Sequence, residues 1–367
     1  MLYYFLNNGG VVLKKIFLIL SSLLAILLVL IGSYVAYLFF DYNRLPDAQK
    51  LTAVSGNLNT PGSNKKSYTI TSFNIGYGAY PADYSFFMDG GKYSRAYDKA
   101  TVMNNLQGMT TDLKKLDSDI LLLQEVDTWA HRSFKVNQVD YFEAEFGDYD
   151  SVFAKNYDSS YLFYPLTHPI GKSTSGILTM SQFPIEKSTR YSLPIETNLN
   201  KFFDLDRAFT VTQITMAEKP VTIINVHLSA FTKDTSVLDN QIKKLVKLMD
   251  EEYASGRSVI VGGDFNHDLL GNSPTIFGTA DIVETWTHPF PEEFLSKNFS
   301  VVKQDLVEAK IPTARANGTG YIPGETFVSL IDGFIVSNDL LVEKTQVSDL
   351  GFVNSDHNPI TLTFQFK

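Results

Sequence analysis

Five groups of polar side chains stand where apolar runs end: Asn74, Glu125, His227, Asp264 with Asn266, and Ser355-Asp356-His357. A lone acid after a strand is ordinarily a turn residue. Five such groups, all carboxylate, carboxamide or imidazole, are not explained as five unrelated turns. Oxygen ligands in a chain with no cysteine suit a hard divalent cation such as Mg²⁺, Mn²⁺ or Ca²⁺. Two imidazoles beside such an ion can move protons or neutralise an oxyanion. In outline this is a phosphate-ester site. The cation offsets charge on phosphoryl oxygens, a carboxylate aligns water, and a histidine assists proton transfer.

Strands and helices must place these groups. Residues 68–75, rich in Thr, Ile and Phe, read as a strand. Val102, Leu106, Met109, Leu113 and Leu116 recur at steps of four and three, which is one helical face. Residues 119–125 form an apolar run ending in Glu125 and suit a strand covered on both faces. Further strands are expected over 176–181, 209–215 and 221–228. Leu238, Ile242, Leu245, Met249 and Tyr253 mark a second helix, stopped at Gly256. Residues 258–264 are an apolar strand ending in Asp264, and 331–336 and 359–366 complete the set. Many strands with helices at intervals predict an α+β sandwich, two sheets inside and helices outside. Several strands follow one another without a helix between them, which disfavours a doubly wound parallel sheet.

The chain has 367 residues, 44% of them apolar, enough for a full core and too many for a disordered or fibrous protein. Residues 16–40 carry no formal charge and are long enough to cross a hydrocarbon core. The apolar stretch of a cleaved signal peptide is shorter, and no clear small-x-small site follows, so a retained anchor is favoured over a cleaved signal. Lys14 and Lys15 precede the run, which puts residues 1–15 in the cytoplasm and the bulk of the chain outside, as a single-pass cell-membrane protein. Residues 41–66, rich in Asn, Pro, Gly and Ser, read as a linker to a domain over 67–367. Of 31 basic and 40 acidic residues, 27 and 38 lie in 65–367, a balance of −11. That charge argues against a protein that lives by coating nucleic acid, without excluding a metal-dependent nuclease. The absence of cysteine rules out disulfides, thiolate metal sites and a cysteine nucleophile.

Six motifs occur in order: Ser72-Phe73-Asn74-Ile75, Leu123-Gln124-Glu125-Val126-Asp127, Asn225-Val226-His227-Leu228, Gly263-Asp264-Phe265-Asn266, Ile331-Asp332-Gly333 and Ser355-Asp356-His357-Asn358-Pro359. Together they resemble the endonuclease/exonuclease/phosphatase superfamily, which includes deoxyribonucleases, abasic-site endonucleases, inositol-polyphosphate phosphatases and bacterial neutral sphingomyelinases. The resemblance covers roughly residues 68–367. It implies a four-layer α/β sandwich, two central and mostly antiparallel sheets flanked by helices, and one divalent cation, Mg²⁺ or Mn²⁺. By match of motif, Glu125 is the main metal ligand, with Asn74 beside it, and Asp356 completes the metal or water network. Asp264 aligns or activates water, and Asn266 donates to a phosphoryl oxygen. Asp332 holds His357 in one tautomer, and His227 is the second imidazole, acting as an acid or a phosphate donor. The Asn-x-His-Leu form resembles the deoxyribonuclease, phosphatase and sphingomyelinase branches more than the abasic-site enzymes. Arg207 matches a recurring basic position.

Residues 77–93 are crowded with aromatics, Phe86 and Phe87 among them, and nearly free of cations. They form either a hydrophobic subcore or an aromatic rim for a lipid, sugar or base. His267 and Asp268 are candidates for a supporting role; His131, His168 and His288 read as loop or surface residues, and Asp127 as a turn cap. The expectation is a monomeric, membrane-anchored, outward-facing phosphoesterase, acting on a phosphodiester or phosphomonoester that a lipid could carry. An extracellular deoxyribonuclease is the alternative. A catalytically inactive binding module, from another class, is disfavoured by the intact set of polar groups.

Overall fold

The computed structural model describes residues 2–42, 44–58, 65–202, 206–230, 235–279 and 288–367, with side chains from residue 11 onward except Asn200. The chain divides into two units, Met1–Arg44 and Leu45–Lys367. The first is helix α1 (Leu2–Asp41), in which Val11–Asp41 is long and apolar enough to cross a membrane. The expected span 16–40 lies inside it.

Among the described residues the second unit carries seventeen strands in chain order: β1 (Gln49–Leu51), β2 (Tyr68–Asn74), β3 (Ile120–Ala130), β4 (Asp150–Asp158), β5 (Ser173–Ser181), β6 (Ile185–Ser192), β7 (Ala208–Met216), β8 (Lys219–His227), β9 (Ser258–Asp264), β10 (His267–Asp268), β11 (His288–Pro289), β12 (Phe299–Val301), β13 (Ala314–Arg315), β14 (Val328–Ser329), β15 (Asp332–Ser337), β16 (Leu340–Val347) and β17 (Ile360–Phe366). Its helices are α2 (Lys99–Leu116), α3 (Gln138–Glu145), α4 (Thr235–Ala254), α5 (Ser273–Phe277) and α6 (Leu306–Ala309). One large sheet has the order β1-β6-β7-β8-β9-β15-β12 and a second β16-β17-β2-β3-β5-β4, while β10 with β11 and β13 with β14 form small two-stranded sheets. Each large sheet contains one parallel pair, β8 with β9 and β2 with β3, and is otherwise antiparallel. The parallel pairs need crossovers, which α2 supplies between β2 and β3, and α4 between β8 and β9.

The layers follow from residue alternation. Ile70, Ile120 and Leu122 face the other sheet and share a core with Ile223, Val261 and Phe334. Phe73, Leu121 and Leu123 face the opposite way and pack with Val102, Leu106, Met109 and Leu113 of α2. The α4 face of Leu238, Ile242, Leu245 and Met249 is buried, and Gly256, at φ 86°, follows the end of the helix at Ala254. Asp98 caps α2 by accepting from Thr101 N at 2.7 Å. This is the expected mixed α+β sandwich, two sheets flanked by helices.

Several elements differ from the sequence reading. The stretch 41–66, expected as a linker, contains β1, which pairs with β6 through Gln49↔Arg190. Asp47 accepts from Ser192 N at 2.9 Å and Lys244 Nζ at 2.6 Å. The fully buried Arg190 donates to Lys155 O at 2.7 Å and Pro46 O at 3.4 Å. Side-chain clamps hold so short a segment, so it needs no apolar periodicity. Residues 59–64 of that stretch lie outside the described residues. Alternation does not predict strands β4 and β6, because the inward polar residues Ser151, Asn156, Ser188 and Arg190 break it, and β16 and helix α3 also lie outside the predicted elements.

Candidate active site

Strand register brings the polar groups to one end of both sheets. Asn74 is opposite Gln124 in the β2–β3 pair, His227 opposite Asp264 in β8–β9, and Asp332 opposite Asp264 in β9–β15. These are the carboxyl ends of β2, β8 and β9, where side chains can project beyond the sheet; β3, expected to stop at Glu125, continues to Ala130. Asn74 Nδ2 donates to Asp264 Oδ2 at 3.0 Å, joining the sheets across the cleft. His227 Nε2 lies 3.5 Å from Asp264 Oδ2 and 3.9 Å from Glu125 Oε1. His357 Nδ1 meets Asp332 Oδ2 at 2.8 Å, and its Nε2 is 3.9 Å from Asp264 Oδ2. Ser355 Oγ donates to Asn74 O at 2.9 Å, which seats Asp356 beside Asn74. All of these except Glu125 are buried; the Glu125 side chain keeps 16% of its surface.

Two local devices aim these side chains. Glu125 sits in a β-bulge, where the β3–β5 register shifts between Leu123 and Val126, and adopts φ 57°. A bulge turns a side chain out of the sheet's alternation, and positive φ in a non-glycine residue costs about 1–3 kcal/mol. Gly76, at φ 52°, is the second device. A Cβ there would stand 2.7 Å from Asp356 Oδ1, so only glycine lets Asp356 close on the Asn74 turn.

The electrostatics divide the groups. Burial, then the charge of Asp356, raises the Glu125 carboxyl to about 8. Burial, then Asp332, raises Asp264 to about 7. Burial, the Arg207 charge and His357 hold His227 well below the ordinary imidazole value, so it is neutral. Burial pushes His357 down too, but Asp332, Asp356 and Asp264 outweigh it and raise the imidazole to about 10. The pair therefore comprises one neutral and one protonated histidine.

The donors fit a divalent cation. Glu125 and Asp356 crowd one another as carboxylates, Asn74 adds an amide oxygen that accepts from Gly76 N at 3.0 Å and has a second lone pair, and no thiolate competes. Atoms of Asp264, Asp332 and His357 also lie within 4.8 Å of one another. The 2.8 Å Asp332–His357 hydrogen bond already uses two of them, however, so that trio is better described as an acid–imidazolium pair with a water-aligning carboxylate.

All eight expected residues fall in one cluster: Asn74, Glu125, His227, Asp264, Asn266, Asp332, Asp356 and His357. Asn266, expected as a phosphoryl donor, spends one amide hydrogen on Leu228 O at 2.8 Å, and its backbone N–H on Asp264 Oδ1 at 2.8 Å. Asp268 stays outside, accepting from Leu270, Gly271 and Ser273 backbone N–H groups, and His267 Nδ1 contacts Phe265 O at 2.6 Å. Asp127 is not a turn cap. It forms a two-point pair with buried Arg132, whose guanidinium stacks 3.2 Å above the Tyr77 ring. Sequence reasoning also missed Asn317, whose side chain donates to Asp356 Oδ2. No motif surrounds Arg132 or Asn317. In the aromatic loop the subcore reading holds for Tyr77, Tyr80 and Tyr84, which are buried and in ring contact.

The profile of the Endonuclease/Exonuclease/phosphatase family matches residues 71–357, and the chain belongs to that family. Members are metal-dependent phosphoesterases and nucleases, so the protein is a metal-dependent ester hydrolase. Among solved structures it is similar to an endonuclease/exonuclease/phosphatase from Beutenbergia cavernae, with TM-score 0.56, 12% identity, and coverage of 82% of this chain and 72% of that one. D. rerio TDP2 complexed with a single-strand DNA product gives 0.54 and 14%, covering 82% and 100%. The human Nocturnin catalytic domain with bound sulfate gives 0.50 and 17%, covering 86% and 98%. At these identities the likeness establishes the fold. No curated protein matches.

Proposed function

We propose that this protein hydrolyses a phosphodiester or phosphomonoester at the outer face of the cell membrane, using Mg²⁺ or Mn²⁺. The observation that carries the reading is Asp264, hydrogen-bonded to Asn74 and within 4 Å of both histidines. Glu125, Asp356 and Asn74 would hold the cation, which when bound offsets charge on the phosphoryl oxygens. Asp264, with its carboxyl raised to about 7, takes a proton from water as the water oxygen attacks phosphorus. The P–O bond to the leaving group breaks. Protonated His357, its Nδ1 held by Asp332, gives its Nε2 proton to the leaving oxygen, and neutral His227 donates a hydrogen bond to a phosphoryl oxygen.

The acidic balance of 65–367 and the apolar N-terminal helix support a membrane-borne or small substrate over a long polyanion. A nuclease is the second reading, prompted by the single-strand DNA product bound to the structurally similar TDP2. The test is a panel of plasmid DNA, sphingomyelin, phosphatidylinositol phosphates and a chromogenic phosphodiester, each with Mg²⁺ at low and physiological salt. Turnover of a lipid or the small diester, with little cleavage of DNA, supports the first reading. Plasmid degradation that falls steeply with salt, alongside inert lipids, reverses the ranking.

A further inference from the structure

The β4–β5 connection, residues 159–172, is a second apolar element at the site end of its sheet. Its flanking strand β5 begins at Ser173, opposite Ala130, and runs back past Gly176 opposite Val126, one residue from Glu125. The connection folds on itself through paired Leu162 and Gly171 backbone bonds at 3.1 and 2.9 Å. Its tip exposes Phe163 at 46%, Tyr164 at 63% and Leu166 at 76%, and Met88 of the neighbouring loop is 63% exposed. The two loops are fastened together. Phe87 and Tyr164 rings lie 5.8 Å apart, Arg95 Nη2 donates to Pro169 O at 2.7 Å, and Ser94 Oγ donates to His168 O. Phe86, by contrast, leans inward on Tyr80, with ring centroids 5.8 Å apart.

A pre-formed crest of large apolar side chains beside a catalytic cleft needs a partner. Its charge selects one. Residues 159–172 contain no acid, and Lys92, Lys135 and Lys172 outnumber the exposed Asp89 beside Met88, in a domain that is otherwise strongly acidic. Lys92 and Lys135 lie over the Tyr93 and Trp129 rings at 5.0 and 4.9 Å. Apolar tips ringed by cations and aromatic rings match the interface of an anionic bilayer, where acyl chains accept the tips and headgroups meet the lysines. The same chain carries a helix of membrane-crossing length.

We propose that the crest formed by Met88, Phe163, Tyr164 and Leu166 inserts into the surface of an anionic lipid bilayer and presents the cleft to phosphoesters held there. The proposal rests on the reading of the site as a phosphoesterase. Its first test is independent of activity. The chain has no cysteine, so Leu166→Cys, Met88→Cys and, on the distant β16, Leu341→Cys each take one nitroxide label. The full chain is reconstituted in phosphatidylcholine–phosphatidylglycerol vesicles. Labels at 166 and 88 should relax with dissolved oxygen and be shielded from an aqueous nickel chelate, while the label at 341 stays open to nickel. Nickel access at 166 equal to that at 341 would overturn the proposal, as would dipolar broadening that places the 166 labels of two copies together. In the second test, the double variant Tyr164→Ser, Leu166→Ser should lose at least tenfold in turnover of a vesicle-borne phosphoester and keep its turnover of a soluble chromogenic diester. Equal losses on both would overturn the proposal. A wild-type protein inert on every phosphoester would defeat the functional reading alone, because the label experiment still decides the crest.

Discussion

Glu125→Gln should stabilise the metal-free protein while destroying its activity. Folded Glu125 keeps its proton up to about 8, whereas the unfolded chain releases it near 4.5. Between those values the unfolded state binds fewer protons than the folded one, so stability falls as pH rises through the window. At pH 7 the cost has a ceiling of about 3 kcal/mol, growing toward about 5 kcal/mol above pH 9. Burial and the Asp356 charge cause this cost, and the amide removes it without changing shape. The assay is urea unfolding of the full chain in detergent, with chelator present, for wild type and Glu125→Gln between pH 5 and pH 9. The variant should match wild type near pH 5 and exceed it by a few kcal/mol near pH 9. Added Mg²⁺ should then stabilise wild type and leave the variant unmoved. A variant less stable than wild type at pH 8 in chelator, or a gap that does not change with pH, would refute the reasoning.

Activity should rise as Asp264 loses its proton near 7 and fall as His357 loses its own near 10; a pH–rate profile of Asp332→Asn should show the upper limb displaced downward by a unit or more. Asn225 accepts from Gln124 Nε2 at 2.8 Å and donates to Leu178 O at 3.1 Å, bridging the sheets just below Glu125 and His227. Asn225→Leu leaves those buried groups unpaired at about 1–3 kcal/mol each, and should lower both the urea midpoint and kcat. Removing residues 1–40 should leave a folded, active domain. Removing 1–57 should lower the thermal midpoint below that of the shorter truncation, because it strips β1 from β6 and Pro46 O from the buried Arg190; the thermal midpoints of the two truncations decide this.

The polar ends of the apolar runs were legible because register fixes them: β2, β8 and β9 end together, and Glu125 lies level with those ends although β3 continues to Ala130. Helices α2 and α4 were legible from their apolar spacing. Glu125's bulge was not, since no residue type demands it and the register shift appears only against β5. Arg132 and Asn317 were invisible for a similar reason, as their partners Asp127 and Asp356 lie on elements whose pairing the sequence does not declare. The aromatic loop divided in two. Its tyrosines turn inward around Arg132, while the exposed apolar surface moved to residues 163–166, a stretch without periodicity.

The central claim is hydrolysis by a cation-dependent site built on Glu125. The most direct measurement is turnover of a chromogenic phosphodiester by the full chain, with Mg²⁺ or Mn²⁺, with chelator, and with Glu125→Gln in the same metal. The account predicts activity that chelator abolishes, that added Mg²⁺ or Mn²⁺ restores, and that falls by at least about 10³-fold in the variant, the scale of losing a main contributor to transition-state charge stabilisation. Full activity in chelator, or in Glu125→Gln, would contradict it.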